Sequence, residues 1–257
     1  MTSSTDLALV VEGLRVSFVE TDGSLQVLND LNFCIAENAF VCLIGPSGSG
    51  KSTLLRTLAG LIEPTAGKIY FGRQQDRRPK TGLIFQQPNL MPWRTLEANI
   101  QLPLELEEIA AAEAQKRVAE VIELVGLRGF EKSYPHELSG GMAQRAAIAR
   151  SLVQDPEILL LDEPFGQLDA LTRDKMGEEL LRVWTEKQKT VLMVTHSITE
   201  AVYLADRVIV LTKRPARISL ELDVPLARPR RDEIRYSPEF TATAARLHQE
   251  LSENLDL

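Results

Sequence analysis

The chain has 257 residues, 44% of them hydrophobic and 25% charged, with a formal net charge of −7. That length suffices for one large domain or two small ones, and the acidic balance gives no indication of a nucleic-acid-binding protein. The N-terminus lacks a basic region followed by a long apolar run, and no apolar run is long enough for a bilayer, so we expect neither a signal peptide nor a membrane span.

The first part of the chain has the pattern of strands followed by one helix. Strands are predicted at "LALVVEGLRVSFVE", "LNFCIA" and "FVCLIG". Cys34 and Cys42 lie within two of these and form no C-x-x-C pair, so we interpret them as small core thiols in a reducing compartment. Lys51–Leu58 has a helical pattern that Gly60 is placed to end. "GKIYFG" and "TGLIFQ" predict two more short strands.

The composition becomes helical after Pro88. Residues 105–125 are rich in Ala, Glu and Leu, and we expect one helix there that Gly126 closes. A second helix is expected over residues 141–153, ahead of Pro156.

The later part of the chain alternates between strands and helices. Strands are predicted at "EILLLDEP", "TVLMVTH" and "DRVIVLT", with helices over 170–186 and Ile198–Leu204. Ser197 and Glu200 predict a capping box for the second helix. Apolar strands that alternate with helices indicate a mostly parallel sheet. We therefore expect an α/β fold with a helical insertion near residues 89–151, and a less regular segment from Lys213 onward.

A phosphate-binding loop is predicted between the third strand and the first helix. "GPSGSGKS" matches G-x-x-x-x-G-K-[ST] in full, with a strand before it and a helix after it. The glycines let backbone N–H groups point at an anion, and the helix directs its positive end to the same place. Lys51 would bind the β- and γ-phosphates, and Ser52 would offer its hydroxyl to Mg²⁺. The predicted ATP-binding residues here are Gly45, Pro46, Ser47, Gly48, Ser49, Gly50, Lys51, Ser52 and Thr53.

A pair of carboxylates follows the apolar strand in "ILLLDEP". A buried parallel strand places Asp162 at its carboxyl end, where ligands bind. Asp162 is expected to hold Mg²⁺, and Glu163 to polarise the attacking water as general base. The alternative is an exposed acidic turn, which the apolar residues immediately before the pair disfavour.

A second anion-binding arrangement stands in "LSGGMAQR", where Ser139, Gly140 and Gly141 precede or open a helix. One γ-phosphate would already be surrounded by a loop, a lysine and a metal. This motif therefore cannot hold the same phosphate from the same side.

The ordered set of motifs resembles that of ATP-binding-cassette (ABC) ATPases. "LSGGMAQR" is similar to the family's signature, Gln86 in "IFQQP" to the glutamine loop, and "LLLDEP" to the Walker B strand. "GQLDA", with Leu168 and Asp169, is similar to the D-loop, and His196 in "VTHS" to the switch histidine. The resemblance covers roughly residues 8–212, and the whole set is far more specific than any single motif.

The resemblance implies a P-loop NTPase (RecA-like) fold of the ABC ATPase type. It would have a parallel-sheet core, an antiparallel β subdomain and an inserted α-helical subdomain. The implied ATPase domain is 5–212, with its core in 5–88 and 152–212, its helical insertion in 89–151, and a C-terminal extension in 213–257.

The resemblance also implies a shared site between two copies of the chain. In that family two nucleotide-binding domains pack head to tail, with ATP between them. Ser139, Gly140 and Gly141 would then contact the γ-phosphate bound by the partner. The chain has one copy of each motif, so a second copy of itself is the simplest partner.

The remaining roles are carried over by the same resemblance. His196 would contact the γ-phosphate and orient the water, and Gln86 would sense water and Mg²⁺. Asp169 is implied to contact ATP. Phe18 would stack on the adenine ring, with a place in the core as the alternative.

One stretch narrows the resemblance to a subgroup of bacterial importers. "QPNLMPWRTLEANI" is similar to a phrase of the nitrate/sulfonate/taurine/bicarbonate group, and "RPRR" agrees with it. This implies an ATPase subunit peripheral to the cytoplasmic face of the cell membrane. Its partners would be transmembrane permease subunits and, indirectly, a solute-binding protein, with no nucleic acid.

Two surface assignments follow with open alternatives. Residues 86–100 are expected to receive the permease, with Trp93 and Met91 either as contacts or packed inside the helical insertion. Arg228, Arg230 and Arg231 could meet lipid head groups, but we favour a solvated basic stretch.

Other functions with similar motifs stay open at this point. One is an ABC ATPase for export or lipoprotein release. Another is a non-transport ABC ATPase of DNA maintenance, which the small insertion between Lys51 and Asp162 disfavours. A nucleotide-binding module without turnover is disfavoured by the presence of Glu163 and His196.

Overall fold

The computed structural model describes residues 7–20, 23–72 and 79–256 and separates into two compact units. The first unit combines Met1–Pro79 with Lys189–Leu257, and the second is Lys80–Gln188. Residues 5 and 6, where the expected domain begins, lie outside the described residues. The domain boundaries expected from the sequence stay a prediction.

Nine strands and seven helices are formed by the described residues. The strands are β1 (Leu7–Glu20), β2 (Gly23–Ala36), β3 (Phe40–Ile44), β4 (Ala66–Phe71), β5 (Thr81–Ile84), β6 (Ile158–Asp162), β7 (Thr190–Val194), β8 (Arg207–Leu211) and β9 (Ile218–Asp223). The helices are α1 (Lys51–Leu58), α2 (Leu96–Leu106), α3 (Ala111–Leu124), α4 (Gly140–Leu152), α5 (Ala170–Lys187), α6 (Ile198–Leu204) and α7 (Pro238–Asp256). None of these helices combines the length and the apolar character needed to span a bilayer.

The first unit contains an antiparallel sheet in the order β2-β1-β4. Val10 of β1 lies opposite Cys34 of β2 on one side and Tyr70 of β4 on the other. Leu9 and Val11 of β1 are buried on the core face. This sheet is the antiparallel β subdomain that the resemblance implied.

A parallel sheet forms the centre of the same unit. β3 lies between β7 and β8, both parallel to it, and β9 pairs antiparallel with β8. Every residue of β3 and β7 is buried. Strands covered on both faces carry continuous apolar runs, which explains why "FVCLI" and "TVLMV" lack alternation.

Of two helix boundaries predicted in this unit, the end of α1 is confirmed and the start of α6 only in part. Gly60 ends α1 as expected: it has a φ of 76°, and Leu61 N donates to Arg56 O at 2.8 Å, as in a Schellman motif. At α6, Ser197 Oγ accepts from Glu200 N at 3.2 Å, so the first half of the capping box is present. The second half is wrong, because Ser197 N donates to Thr195 Oγ1 at 3.0 Å and not to the Glu200 carboxylate.

The C-terminal segment is more regular than the sequence indicated. β9 extends the parallel sheet at one edge, and α7 packs against α6 and β8. Phe240 and Leu247 of α7 are buried. The expectation of an irregular segment after Lys213 is therefore wrong.

The interpretation of the late arginines as a solvated basic stretch is wrong for two of the three. Arg230 is 7% exposed, and Arg228 Nη2 donates to the carbonyl oxygen of Leu204 at 2.7 Å. Arg230 Nη1 donates to three other carbonyl oxygens at the C-terminal end of α6, those of Val202, Tyr203 and Ala205. Helix C-termini carry unpaired carbonyls and partial negative charge, which these cations satisfy. Burial and the nearby Arg228 lower the pKa of Arg230 to about 10.

The second unit joins a parallel strand pair to a group of helices. β5 and β6 pair in parallel, and α4 packs against α2, α3, α5 and β5. The single helix expected over 105–125 is wrong, because the chain forms α2 and α3 instead. Glu108, with a φ of 55°, ends α2: Ile109 N donates to Leu104 O at 3.0 Å. Gly126 ends α3 as predicted, with a φ of 64°.

Candidate functional site

The phosphate loop encloses the side chain of Lys51. Its Nζ donates to the carbonyl oxygens of Gly45 and Pro46 at 2.9 and 2.8 Å, and the residue is 4% exposed. Lys51 is also the first residue of α1, so it lies at the positive end of the helix dipole. The ammonium group is therefore held between the start of the loop and the positive end of a helix, an arrangement suited to an anion.

Two glycines of this loop are required by close backbone approach. A Cβ at Gly50, where φ is 103°, would lie 2.6 Å from Val27 Cγ1 and 2.9 Å from Leu28 Cδ2. A Cβ at Gly45 would lie 2.8 Å from the Leu211 carbonyl oxygen. Real Cβ atoms do not approach other atoms so closely, so the loop keeps its shape only with glycine at both positions.

His196 is exposed in the turn between β7 and α6. Thr195, which is 3% exposed, fixes that turn through its hydroxyl. Its Oγ1 accepts from Ser197 N at 3.0 Å and donates to Glu200 Oε2 at 2.5 Å. Sequence reasoning missed Thr195, although a hydroxyl at the end of a fully apolar strand is a detectable signal.

Phe18 projects from the antiparallel sheet of the first unit. It lies opposite Leu25 in the β1–β2 hairpin and is 39% exposed. The alternative of a core position is therefore wrong, and part of the side chain is accessible to a ligand.

In the second unit, the predicted carboxylate pair stands at the end of β6. Asp162 is 7% exposed, so the alternative of an exposed acidic turn is wrong for it. Glu163 has a φ of 48°, a left-handed conformation that is uncommon for residues other than glycine. Its carbonyl oxygen accepts from Gly166 N at 3.0 Å, which holds the tight turn after the strand. Strained backbone of this kind is frequent at functional sites.

Gln86 lies beside that turn. A Cβ at Gly166 would be 3.1 Å from Gln86 Nε2 and 3.4 Å from the Glu163 carbonyl oxygen. The structure thus brings the glutamine predicted to sense water and Mg²⁺ next to the turn that begins at the predicted base. Gly166 was missed at the sequence level, since only the tertiary contact shows that a side chain there would press against Gln86.

The second anion-binding motif begins α4. Ser139 caps the helix, its Oγ accepting from Met142 N at 3.3 Å, and Ser139 and Gly140 are exposed. A Cβ at Gly140 would lie 3.5 Å from Leu168 Cδ2, so the motif packs against the segment predicted as the D-loop. The positive end of α4 is therefore open to an anion from outside the unit.

Asp169 is the N-cap residue of α5. Its Oδ1 accepts from Thr172 N at 3.0 Å and caps α5. Hydrogen bonds from Thr172 lower the pKa of the Asp169 carboxyl. Contact with a nucleotide stays a prediction for this residue.

The loop between β5 and α2 is organised by a buried asparagine. Asn99 Oδ1 accepts from Met91 N at 2.7 Å, while Nδ2 donates to the carbonyl oxygens of Met91, Arg94 and Thr95. Trp93, inside this stretch, is 72% exposed. Packing inside the helical insertion, the alternative for Trp93, is therefore wrong. Met91 is partly buried.

A metal ion held entirely by protein side chains would need a cluster of suitable ligands. Within residues 7–20, 23–72 and 79–256, no three His, Cys, Asp or Glu side chains form a group that could hold a metal ion. Mg²⁺ in nucleotide sites takes most of its ligands from phosphate oxygens and water, with one or two protein groups. Ser52 in the first unit and Asp162 in the second each carry an oxygen of the type that binds Mg²⁺.

A phosphate loop between β3 and α1, together with a buried aspartate at the end of β6, defines a P-loop nucleotide-binding protein. A family model described as ABC transporter matches residues 28–166, more than half of the chain. The chain belongs to the ABC transporter family.

Two relatives show how far the similarity extends. The chain is 49% identical over 224 residues to an ABC transporter ATP-binding protein of Methanocaldococcus jannaschii, covering 86% of this chain and 84% of the relative. It is 49% identical over 217 residues to the aliphatic sulfonates import ATP-binding protein SsuB of Bacillus licheniformis, covering 84% and 83%.

Solved structures agree with this assignment. An ATP-binding cassette determined as a dimer in a post-hydrolysis state with ADP and Pi has a TM-score of 0.73 and 34% identity, covering 85% of this chain and all of that one. The protein cbiO1 of Clostridium perfringens, part of an ABC transporter complex, has a TM-score of 0.77 and 25% identity over 98% of this chain and 100% of its own. The comparisons confirm the ABC ATPase resemblance, the α/β cassette fold and the ATPase class expected from the motifs.

Proposed function

We propose that the chain is the ATP-hydrolysing subunit of an importer and drives uptake of a small solute, such as a sulfonate, nitrate or taurine-like anion, through separate permease subunits. The observation that carries the import assignment is the 49% identity, over 84% of this chain, to a sulfonate import ATP-binding protein. The phosphate loop and the buried aspartate support the ATPase chemistry.

ATP binds through its phosphates at residues 45–53. Lys51 exchanges the carbonyl oxygens of Gly45 and Pro46 for oxygens of the β- and γ-phosphates. Because the ammonium is already desolvated by the loop, it loses little further hydration on binding. Phe18 stacks against the adenine ring, which its exposed position allows.

Hydrolysis is assigned to a small set of side chains. Glu163 accepts a proton from the attacking water, and the oxygen of that water bonds to the γ-phosphorus as ADP leaves. His196 donates to the γ-phosphate and orients the water. Ser52, Gln86 and Asp162 would hold Mg²⁺, which when bound would supply positive charge against the phosphate oxygens.

A second copy of the chain completes each site. Ser139, Gly140 and Gly141 contact the γ-phosphate of the nucleotide bound by the other copy. The exposed start of α4 supports this proposal, since a helix N-terminus that is open to solvent can accept an anion from a second copy of the chain. Hydrolysis removes the shared γ-phosphate and lets the two copies part. The dimeric state of the solved ADP- and Pi-bound relative is in keeping with it.

The permease binds at residues 86–100. Asn99 fixes the backbone of this stretch and leaves Trp93 exposed, and a rigid, exposed tryptophan is a frequent anchor at protein interfaces. The chain would thereby sit peripherally at the cytoplasmic face of the membrane. A solute-binding protein would act through the permease.

The assignment is tested by two substitutions with matched controls. Glu163→Gln should retain ATP binding and lose most hydrolysis, whereas Glu178→Gln, an exposed glutamate of α5, should behave as wild type. Lys51→Ala should lose ATP binding, whereas the exposed Lys116→Ala should not. Near-normal turnover in Glu163→Gln, or unchanged affinity in Lys51→Ala, would refute the assigned roles.

A further inference from the structure

A turn outside the known motifs contacts the phosphate loop. Arg214, between β8 and β9, donates from Nε to the Gly48 carbonyl oxygen at 3.2 Å. Its Nη2 lies 3.4 Å from the place that a Cβ on Gly48 would occupy. Gly48 has a φ of 75°, so the contact falls on a left-handed residue at the outer part of the loop.

The turn that carries Arg214 is anchored at both ends. Thr212 N donates to Arg217 O at 2.9 Å, and Arg217 N donates to Thr212 Oγ1 at 3.0 Å. Ala216 is fully buried and bonds to β2, its N donating to Val27 O and its O accepting from Asn29 N. The Arg214 backbone is therefore fixed relative to β2 and the loop.

The same surroundings constrain the other loop glycines. Gly45 is in contact with Leu211, the last residue of β8, and Gly50 with Val27 and Leu28 of β2. At Gly48 the neighbour is an exposed cationic side chain instead of a strand. Strands β8 and β2 thus restrain the two ends of the loop, and Arg214 restrains its outer part at Gly48.

The contact also fixes the direction of one peptide group. In a trans peptide the C=O and N–H point in opposite directions. With the Gly48 carbonyl held towards Arg214, the Ser49 N–H points away from it and donates to Pro46 O at 3.2 Å. Arg214 therefore supports the turn over residues 46–49, and it adds a positive charge next to a loop built for phosphates.

We propose that Arg214 is a positioning residue for nucleotide binding: it holds the Gly48 peptide of the phosphate loop in its binding conformation and strengthens the field that attracts the phosphates. This inference rests on the proposed function, since it requires ATP at residues 45–53. Arg214 does not act on the bond that breaks, so it should affect affinity and leave the chemical step unchanged.

The test uses the full chain and compares Arg214→Gln with Arg214→Lys and Arg217→Gln. Arg217→Gln removes an equal charge from the same turn, so it controls for net charge. Loss of a charge-assisted hydrogen bond should raise the KM and the Kd for ATP about tenfold in Arg214→Gln, with kcat within about twofold. Arg214→Lys keeps the charge and should recover part of the affinity, and Arg217→Gln should stay within about twofold of wild type.

Four results would overturn the inference, three of them kinetic. One is an unchanged KM in Arg214→Gln, another is an equal rise in Arg217→Gln, and the third is a fall in kcat at constant KM. Thermal unfolding of each variant separates a folding defect from a binding defect. The fourth result is a loss of ATP affinity that is explained by a lower Tm of the variant, because it would show a folding defect. If wild type hydrolyses ATP but Arg214→Gln matches it, this inference fails alone. If wild type does not bind ATP, the proposed function fails with it.

Discussion

Thr195 Oγ1 donates a hydrogen bond to Glu200 Oε2 at 2.5 Å while accepting one from Ser197 N at 3.0 Å. These two bonds connect the end of β7 to the first turn of α6, and His196 stands between them. The orientation of His196 therefore depends on the buried hydroxyl of its neighbour Thr195.

Thr195→Val keeps the side-chain shape and removes both hydrogen bonds. We expect ATP turnover to fall about tenfold with little change in KM, because His196 would lose its fixed position while the phosphate loop is untouched. Steady-state kinetics measures both constants. Thr195→Ser keeps the hydroxyl and should retain most activity; equal losses in the two variants would contradict this role of the hydroxyl.

Arg230 should contribute strongly to stability. Arg230→Met leaves the carbonyl oxygens of Val202, Tyr203 and Ala205 without their shared donor, in a buried place that water does not reach. We expect the free energy of unfolding to drop by about 2–4 kcal/mol in urea denaturation. Arg231→Met, at an exposed neighbour, should change it by less than about 0.5 kcal/mol. Similar effects in both variants would show that the α6 contacts do not matter.

Trp93 should matter for assembly and little for catalysis. In Trp93→Ala we expect the affinity for co-expressed permease subunits to fall about tenfold or more, with unchanged ATP turnover in the isolated subunit. Quantitative co-purification from membranes measures the first and a phosphate-release assay the second. Leu106→Ala, at an exposed apolar residue of α2, is the matched control. Normal permease recovery with Trp93→Ala would place the docking surface elsewhere.

The two cysteines should differ in reactivity. Burial raises the pKa of the Cys42 thiol well above its ordinary value, whereas Cys34 is only partly buried. In the native chain a thiol reagent at mildly alkaline pH should modify Cys34 much faster than Cys42, and mass spectrometry of the peptides distinguishes them. Because the folded chain holds the Cys42 proton more tightly, stability should fall as pH rises above the ordinary thiol pKa. Fast modification of native Cys42 would contradict the burial.

The local features of the fold were predictable because each is encoded in a short segment. The phosphate loop needs only a strand, glycines, a lysine and a helix in sequence, and Gly60 and Gly126 end helices through their own conformational freedom. The break at Glu108 was missed, because a glutamate occupies the left-handed position that glycine usually marks.

Contacts between segments that are distant in the sequence could not be predicted from sequence patterns. Arg230 and Arg228 have the composition of a solvated basic stretch, and only the folded chain brings the end of α6 to them. Arg214 and Gly48 are 166 positions apart, and no periodicity or motif relates them. The catalytic and binding roles of the site residues stay predictions, to be settled by kinetics.

The most direct test of the account measures ATP turnover per subunit as a function of subunit concentration, in wild type and in Ser139→Arg. If each copy completes the other's site, turnover per subunit should rise with concentration to a plateau and vanish at high dilution. Ser139→Arg should stay low throughout while the monomer binds ATP normally. Turnover per subunit that is independent of concentration, and equal in Ser139→Arg, would contradict the shared site.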